Sequence, residues 1–252
     1  AILILLYAYK QDFFPEPPKI VFKTFLFGCA TVLAVDLFID VLDDYSEKNF
    51  TGESYYFFDS FIRAAFLEEF FKLTVIVFYC TRKSVFDEPM DALVYGVAAS
   101  LGFAVIENWE YVVFAESLEA GRYIALIRGF TAIPLHALAG VFMGFFLMNA
   151  IFRKHNRKFY LFLSLFFPVC LHGLYDLILF SENISDYYIF ILLIVFLIRA
   201  HFVFRKERNL QTLSNIKKTK TIPKTSDVVF VVALTFVILF SVNYFFNFVM
   251  YS

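Results

Sequence analysis

The chain has 252 residues, 60% of them hydrophobic and 21% aromatic, with 37 phenylalanines and a mean hydropathy of +0.70. No water-soluble domain of this size needs so much apolar surface, and the charged residues, 18% of the total, collect in short clusters between apolar runs rather than covering a solvated face. With 22 basic against 23 acidic side chains the formal net charge is −1, so there is no global field to recruit nucleic acid.

Eight apolar runs succeed one another at residues 1–8, 20–41, 56–80, 92–114, 123–152, 159–180, 187–204 and 228–250. Most have the roughly 18 to 25 residues that cross a bilayer. The pattern predicts an all-α, polytopic membrane protein of about eight transmembrane helices, organised as one membrane domain over residues 1–252. Its core helices lie at about 20–204, and an extra C-terminal helix, with no assignable role, at about 228–250. The first run is short and begins without Met, which reads as a truncated helix. Gln11 to Lys19 (QDFFPEPPK) holds three prolines and is expected to be a stiff elbow. Cys29, Cys80 and Cys170 fall inside apolar runs without CxxC spacing and read as small core residues.

The connectors alternate in charge. Lys10 and Lys19, Arg82 and Lys83, Arg153 to Lys158, and the basic stretch from Arg205 to Lys224 (with Lys217, Lys218 and Lys220) lie in alternate loops, whereas the others carry mainly Asp43, Asp44, Glu47, Glu53, Glu116, Glu119, Glu182 and Asp186. The positive-inside rule places the basic loops in the cytoplasm and both termini outside.

An ionised side chain at the centre of a membrane helix costs about 2.5 to 3.5 kcal/mol, so each one there needs a partner or a task. The third run carries Glu68, Glu69 and Lys72 in AAFLEEFFKL and the fourth Glu107 and Asn108 in GFAVIENWEY; the fifth carries His136 in IPLHALAG and the sixth His172 and Asp176 in CLHGLYDL. Lys72 comes three and four residues after the two glutamates, hence on their helical face. His172 and Asp176 are i, i+4 and share a face. Gly140 and Gly144 give the fifth run a small-residue seam along which another helix can approach. At 1.5 Å per residue, Glu69, Glu107, His136 and His172 all come out roughly 10 to 20 Å below the outer surface. One hydrated, outward-opening cavity within helices three to six is therefore expected.

Other polar residues have plainer readings. Asp36 with Asp40, and Arg63 and Arg128, read as interfacial or charge-balancing, Arg199 as snorkelling to the interface, and His155 and His201 as uninformative.

The sequence has no HExxH, no GxSG and no GxGD. What remains is a water activated by glutamate, with imidazoles that bind a divalent metal or stabilise an oxyanion. A proton- or ion-coupled transporter could use the same groups, but no inverted repeat or paired broken helix accompanies them, although Pro134 could kink the fifth helix.

Glu68-Glu69-x-x-Lys72, Phe103-x-x-x-Glu107-Asn108-x-x-Tyr111, His136-x-x-x-Gly140 and His172-x-x-x-Asp176, in that order on separate helices, resemble the PrsW family of bacterial intramembrane proteases. The PEPP stretch after the first run resembles it too, so the likeness extends from Ala1 to about Phe204. That family is grouped with the CAAX prenyl protease superfamily, relative to which Glu107 stands for a histidine and Asp176 for an asparagine. The resemblance implies a multi-pass endopeptidase of the bacterial cell membrane. It would make the first cut in a single-pass anti-sigma factor, on the extracytoplasmic side. On this reading Glu68 or Glu69 is the general base while Lys72 fixes the other, and Asn108 holds the substrate carbonyl. Glu107, His136 and His172 would be metal ligands or oxyanion donors and Asp176 a further ligand or orienter, with zinc or another divalent ion as the candidate cofactor and no other cofactor implied.

Overall fold

The computed structural model describes residues 1–153, 156–181, 184–213 and 220–251, and every regular element among them is helical. Of the connector residues, Lys154, His155, Glu182, Lys217 and Lys218 lie outside the described residues. The first run forms α1 (Ile2–Gln11), and the second begins α2 (Pro18–Asn49). The elbow is thus confined to residues 12–17, because a proline at the first helical position has no hydrogen bond to lose. At 32 residues α2 is about 48 Å long, more than the roughly 30 Å hydrocarbon core needs. Its last turns carry Asp43, Asp44 and Glu47 onward as helix rather than as a loop.

The third run is helical but not uniform. It comprises α3 (Gly52–Phe57), a π-helical stretch (Phe58–Phe66) and α4 (Leu67–Phe78). Arg63, in the π-helical stretch, bonds Asp59 one turn before it and lies 3.0 Å from Asp43 of α2, a charge-balancing role as its position implied.

Next come α5 (Pro89–Val113), α6 (Leu118–Phe130), α7 (Ala132–Phe152), α8 (Arg157–Phe180), α9 (Tyr187–Leu213) and α10 (Thr225–Tyr251). The fifth run is one stretch by composition yet breaks at Thr131, between α6 and α7. Pro134 is the reason: it has no N–H for the Phe130 carbonyl one turn back, and its ring crowds that carbonyl. Among the described residues six stretches are long and apolar enough to cross a membrane: Pro18–Asn49, Pro89–Val113, Leu118–Phe152, Arg157–Phe180, Tyr187–Thr212 and Thr225–Val249. The other two runs of the expected eight are the ten-residue α1 and the subdivided, charged α3 to α4 helix.

α5 is the central helix. Its first sixteen residues, Pro89 to Ala104, are all buried, and it packs on α2, α4 and α7. A Cβ on Gly96 would strike the Gly140 carbonyl oxygen, and one on Gly140 would strike the Gly96 carbonyl and Ser100. The seam expected along α7 is therefore real, and its partner is α5. Outward-facing Leu33, Leu37, Ile191, Ile194, Val237 and Phe245 stay exposed, an apolar mantle suited to acyl chains.

The N-terminal end of α5 carries a different feature. Glu88 and Asp91 form a capping box, and Glu16 of the elbow accepts a hydrogen bond from the Tyr95 hydroxyl. α9 runs on past Arg205 to Leu213, which brings Gln211 to the same place. Burial, and next the Asp12 carboxylate, push the Glu88 carboxyl up to about 7.

Gly96→Ala and Gly140→Ala should each lower stability by about 1 to 3 kcal/mol, the usual penalty for overpacking. Gly129→Ala, where a Cβ meets nothing within 4 Å, should be neutral or slightly stabilising. Thermal unfolding of the three variants in one detergent compares them directly.

Candidate active site

Four helices bring the intramembrane polar groups together. The π-helical stretch ends at Phe66, and the regular α4 beyond it puts Glu68, Glu69 and Lys72 on its inward face. π-Helical turns are frequent beside functional groups because the extra residue re-aims the side chains of the next turn. Lys72 is fully buried, and its ammonium donates to Glu69 Oε1 at 2.8 Å, to Glu68 Oε2 at 3.1 Å and to His136 Nδ1 at 3.0 Å. It also lies 4.0 Å from the centre of the Phe103 ring.

An ammonium can only donate, so His136 Nδ1 accepts and the ring proton sits on Nε2. There it donates to Glu107 Oε2 at 2.9 Å. Glu107 in turn is held by Arg128 Nη2 at 2.7 Å, and Arg128 Nε donates to Asn108 Oδ1 at 2.8 Å while its guanidinium stacks 3.8 Å from the Tyr111 ring centre. On the other side His172 Nδ1 donates to Glu69 Oε1 at 3.0 Å, and its Nε2 lies 3.3 Å from Asp176 Oδ2. The two imidazole rings meet edge to face, 4.9 Å apart. Tyr175 donates to Thr131 at the α6 to α7 break, at 3.0 Å.

A cavity of about 330 Å³ opens onto this network, bordered by Glu68, Glu107, Arg128, His136, His172 and Asp176. Glu68, 7% exposed, borders it, whereas Glu69 and Lys72 are wholly buried behind.

All eight residues singled out in the sequence lie in or against this network, but not in equivalent places. Ligand-capable atoms of Glu68, Glu69, His136 and His172 lie within 4.8 Å of one another. Glu107, read from sequence as a metal ligand or oxyanion donor, and Asp176, read as a further ligand or an orienter, each lie against the far ring nitrogen of an imidazole. Asn108 spends one amide N–H on the Ala104 carbonyl at 2.6 Å and its oxygen on Arg128. Arg128, read from sequence as interfacial or charge-balancing rather than catalytic, does balance Glu107, but inside this network.

A model described as PrsW family intramembrane metalloprotease matches residues 16–200. The chain belongs to the PrsW family. Curated proteins named Protease PrsW are similar to it. That of Bacillus subtilis (strain 168) is 36% identical over 189 residues, 74% of this chain and 82% of the relative. That of Geobacillus kaustophilus (strain HTA426) is 35% identical over 188 residues, 74% and 79% of the two chains. That of Clostridioides difficile (strain 630) is 31% identical over 191 residues, 75% and 78%. No solved structure matches the chain. As a PrsW family member it is an intramembrane protease, not the ion-coupled transporter that midplane acids also permit.

The family description names a metal, and the donors here fit one. Two carboxylates and two imidazoles within 4.8 Å form a mixed oxygen and nitrogen set suited to zinc-like ions. Each imidazole has a carboxylate against its other nitrogen, the usual outer support of metal-binding histidine. Glu69 Oε2 is buried without a hydrogen-bond partner. Lys72 already serves three of the same donors, so a metal and this ammonium compete for them.

Removing Lys72 leaves two buried carboxylates uncompensated, so Lys72→Met should cost about 3 to 5 kcal/mol. Adding Glu69→Gln should recover part of that loss. A double-mutant cycle by thermal unfolding measures the coupling, and additive effects would refute it.

Proposed function

We propose that the chain cuts a peptide bond of a single-pass membrane protein, an anti-sigma factor, near its extracytoplasmic side, in the bacterial cell membrane. The observation that carries the chemistry is the inequality of the two adjacent glutamates: Glu68 borders the cavity while Glu69 is sealed behind it, holding Lys72 and His172. Glu68 is accordingly the general base and Glu69 the positioning acid.

Glu68 takes a proton from water as the water oxygen adds to the substrate carbonyl carbon. With its Nδ1–H held by Glu69, His172 as the imidazolium keeps a second N–H on Nε2, beside Asp176 at the cavity wall, to donate toward the oxyanion. The C–N bond then breaks as the protonated Glu68 returns its proton to the departing amine. Lys72 compensates the charge of Glu69 in its sealed position, and Glu107, clamped by Arg128, fixes the tautomer of His136. Glu69, His136 and His172 would hold a divalent ion, zinc first among candidates, which when bound supplies Lewis-acid polarisation of carbonyl or water. Asn108 acts on this reading by steering Arg128 through its Oδ1 rather than by holding the substrate carbonyl, since it does not line the cavity. The depth expected for the polar layer, and the acidic connectors at that end, support an extracytoplasmic cut.

Co-expression with an epitope-tagged single-pass anti-sigma factor tests the reading. Glu68→Gln should reduce processing about 10²- to 10⁴-fold, as expected for a lost general base, while the protein still accumulates in membranes. Arg128→Ala should reduce it about 10- to 100-fold, the usual cost of removing an outer-shell partner. Undiminished cleavage by Glu68→Gln would reject Glu68 as the base. Elemental analysis of the purified protein beside Glu69→Gln identifies the metal.

A further inference from the structure

Far from the active site, the N-terminal end of α5 gathers Asp12, Glu16, Glu88 and Asp91 from three separate stretches of chain. Asp12 comes directly after α1, Glu16 belongs to the proline elbow, and Glu88 and Asp91 open α5. Ligand-capable oxygens of Asp12, Glu88 and Asp91 lie within 4.8 Å of one another. Sixteen residues of α5 separate Asp91 from Glu107, about 24 Å at 1.5 Å per residue, so this cluster and the catalytic one are distinct.

Among the described residues the cluster lacks a counter-charge. Among the described residues no lysine or arginine pairs with any of the four acids. The nearby cations are engaged elsewhere: Arg208 with Gln11 and the Phe13 ring, Lys220 with the Lys83 and Phe86 carbonyls. What the acids do have is neutral. Gln211 of α9 donates to Asp12 Oδ1 at 2.7 Å and Glu88 Oε1 at 2.6 Å. Backbone amides of Asp87 and Glu88 donate to Asp91 Oδ2 at 2.7 and 2.8 Å, and Tyr95 donates to Glu16.

Two oxygens are left over. Asp12 Oδ2 and Asp91 Oδ1 are buried with no hydrogen-bond partner, on side chains 7% and 0% exposed. Each side chain is thus anchored through one oxygen with the other spare. Buried carboxylates are otherwise paired or metal-bound, and orphaned ones are expensive. The donor set holds no nitrogen or sulfur, which selects a hard ion and disfavours zinc.

We propose that Asp12, Glu88 and Asp91, with Glu16 beside them, bind a hard divalent cation, Mg²⁺ or Ca²⁺, that ties the end of α1 and the elbow to the start of α5. Gln211 brings the end of α9 into the same knot. The ion is structural and does not take part in peptide hydrolysis.

Thermal unfolding of the EDTA-treated full chain in detergent tests this, with Mg²⁺, Ca²⁺ and Zn²⁺ added separately. Saturating Mg²⁺ or Ca²⁺ should raise Tm by roughly 5 °C, in the unmutated chain and in Glu69→Gln alike. Asp12→Asn and Glu88→Gln should abolish the rise. No shift with either ion, or one that survives both substitutions, overturns the proposal. So does a Tm that responds to acid pH alone, which would mean that the carboxyls share protons instead. A second readout needs no variant: the Tyr9 hydroxyl donates to the Glu16 carbonyl at 2.8 Å and Tyr95 to its side chain, so Tb³⁺ bound here should luminesce on tyrosine excitation and be displaced by Ca²⁺. Absence of that emission also overturns it.

Discussion

Charges placed in apolar helices must neutralise one another, and in this protein Lys72 is where they do so. Its ammonium, with no solvent contact, satisfies two carboxylates and one imidazole at once. Everything else in the site is arranged outward from that point. His136 is forced into one tautomer by accepting from Lys72, Glu107 reads that tautomer, and Arg128 restrains Glu107. Glu69 links the same ammonium to His172 and so to Asp176. Removing the central charge does not delete one contact; it leaves Glu68, Glu69 and His136 Nδ1 each short of a donor in a low-dielectric setting.

The helical framework exists to hold that chain of contacts at fixed distances. α5 and α7 approach through glycine, so Glu107 and His136 sit on helices whose separation is set by backbone rather than side chains. Two interruptions then aim the groups. The π-helical Phe58–Phe66 precedes the glutamates, and the break at Thr131 precedes His136 by little more than a turn. Both devices rotate a functional residue inward without bending the rest of the span, in keeping with the frequent location of such irregularities beside reactive groups.

Much of this was legible in the sequence. Runs of apolar residues announce membrane helices because the bilayer imposes a length, and charged residues inside them stand out because the medium makes them costly. The spacings Glu68 and Glu69 to Lys72, and His172 to Asp176, encode contacts within one helix, and those contacts form. What sequence could not convey was order across helices. Whether Glu107 or Glu69 lies nearer the imidazoles depends on how α4, α5, α7 and α8 are rotated about their axes. That rotation is decided by packing at residues such as Gly96, Gly140 and Gly173, the last pressed against the Phe61 ring. Arg128 was unreadable for the same reason: it enters the site only because α6, joined to α5 through residues 114–117, packs back against α5. The acids at the start of α5 drew no attention because, one by one, they sit at helix ends and in a loop, where acidic residues are ordinary.

The glycine seam between α5 and α7 has an evolutionary corollary. Since main-chain atoms of the two helices touch, the distance across the reactive layer is insulated from whatever covers the exterior. The outer aliphatic and aromatic coat on α2, α9 and α10 can drift freely to suit membranes of different fluidity. Selection then falls on a few residues without side chains, where even one methyl group is too large.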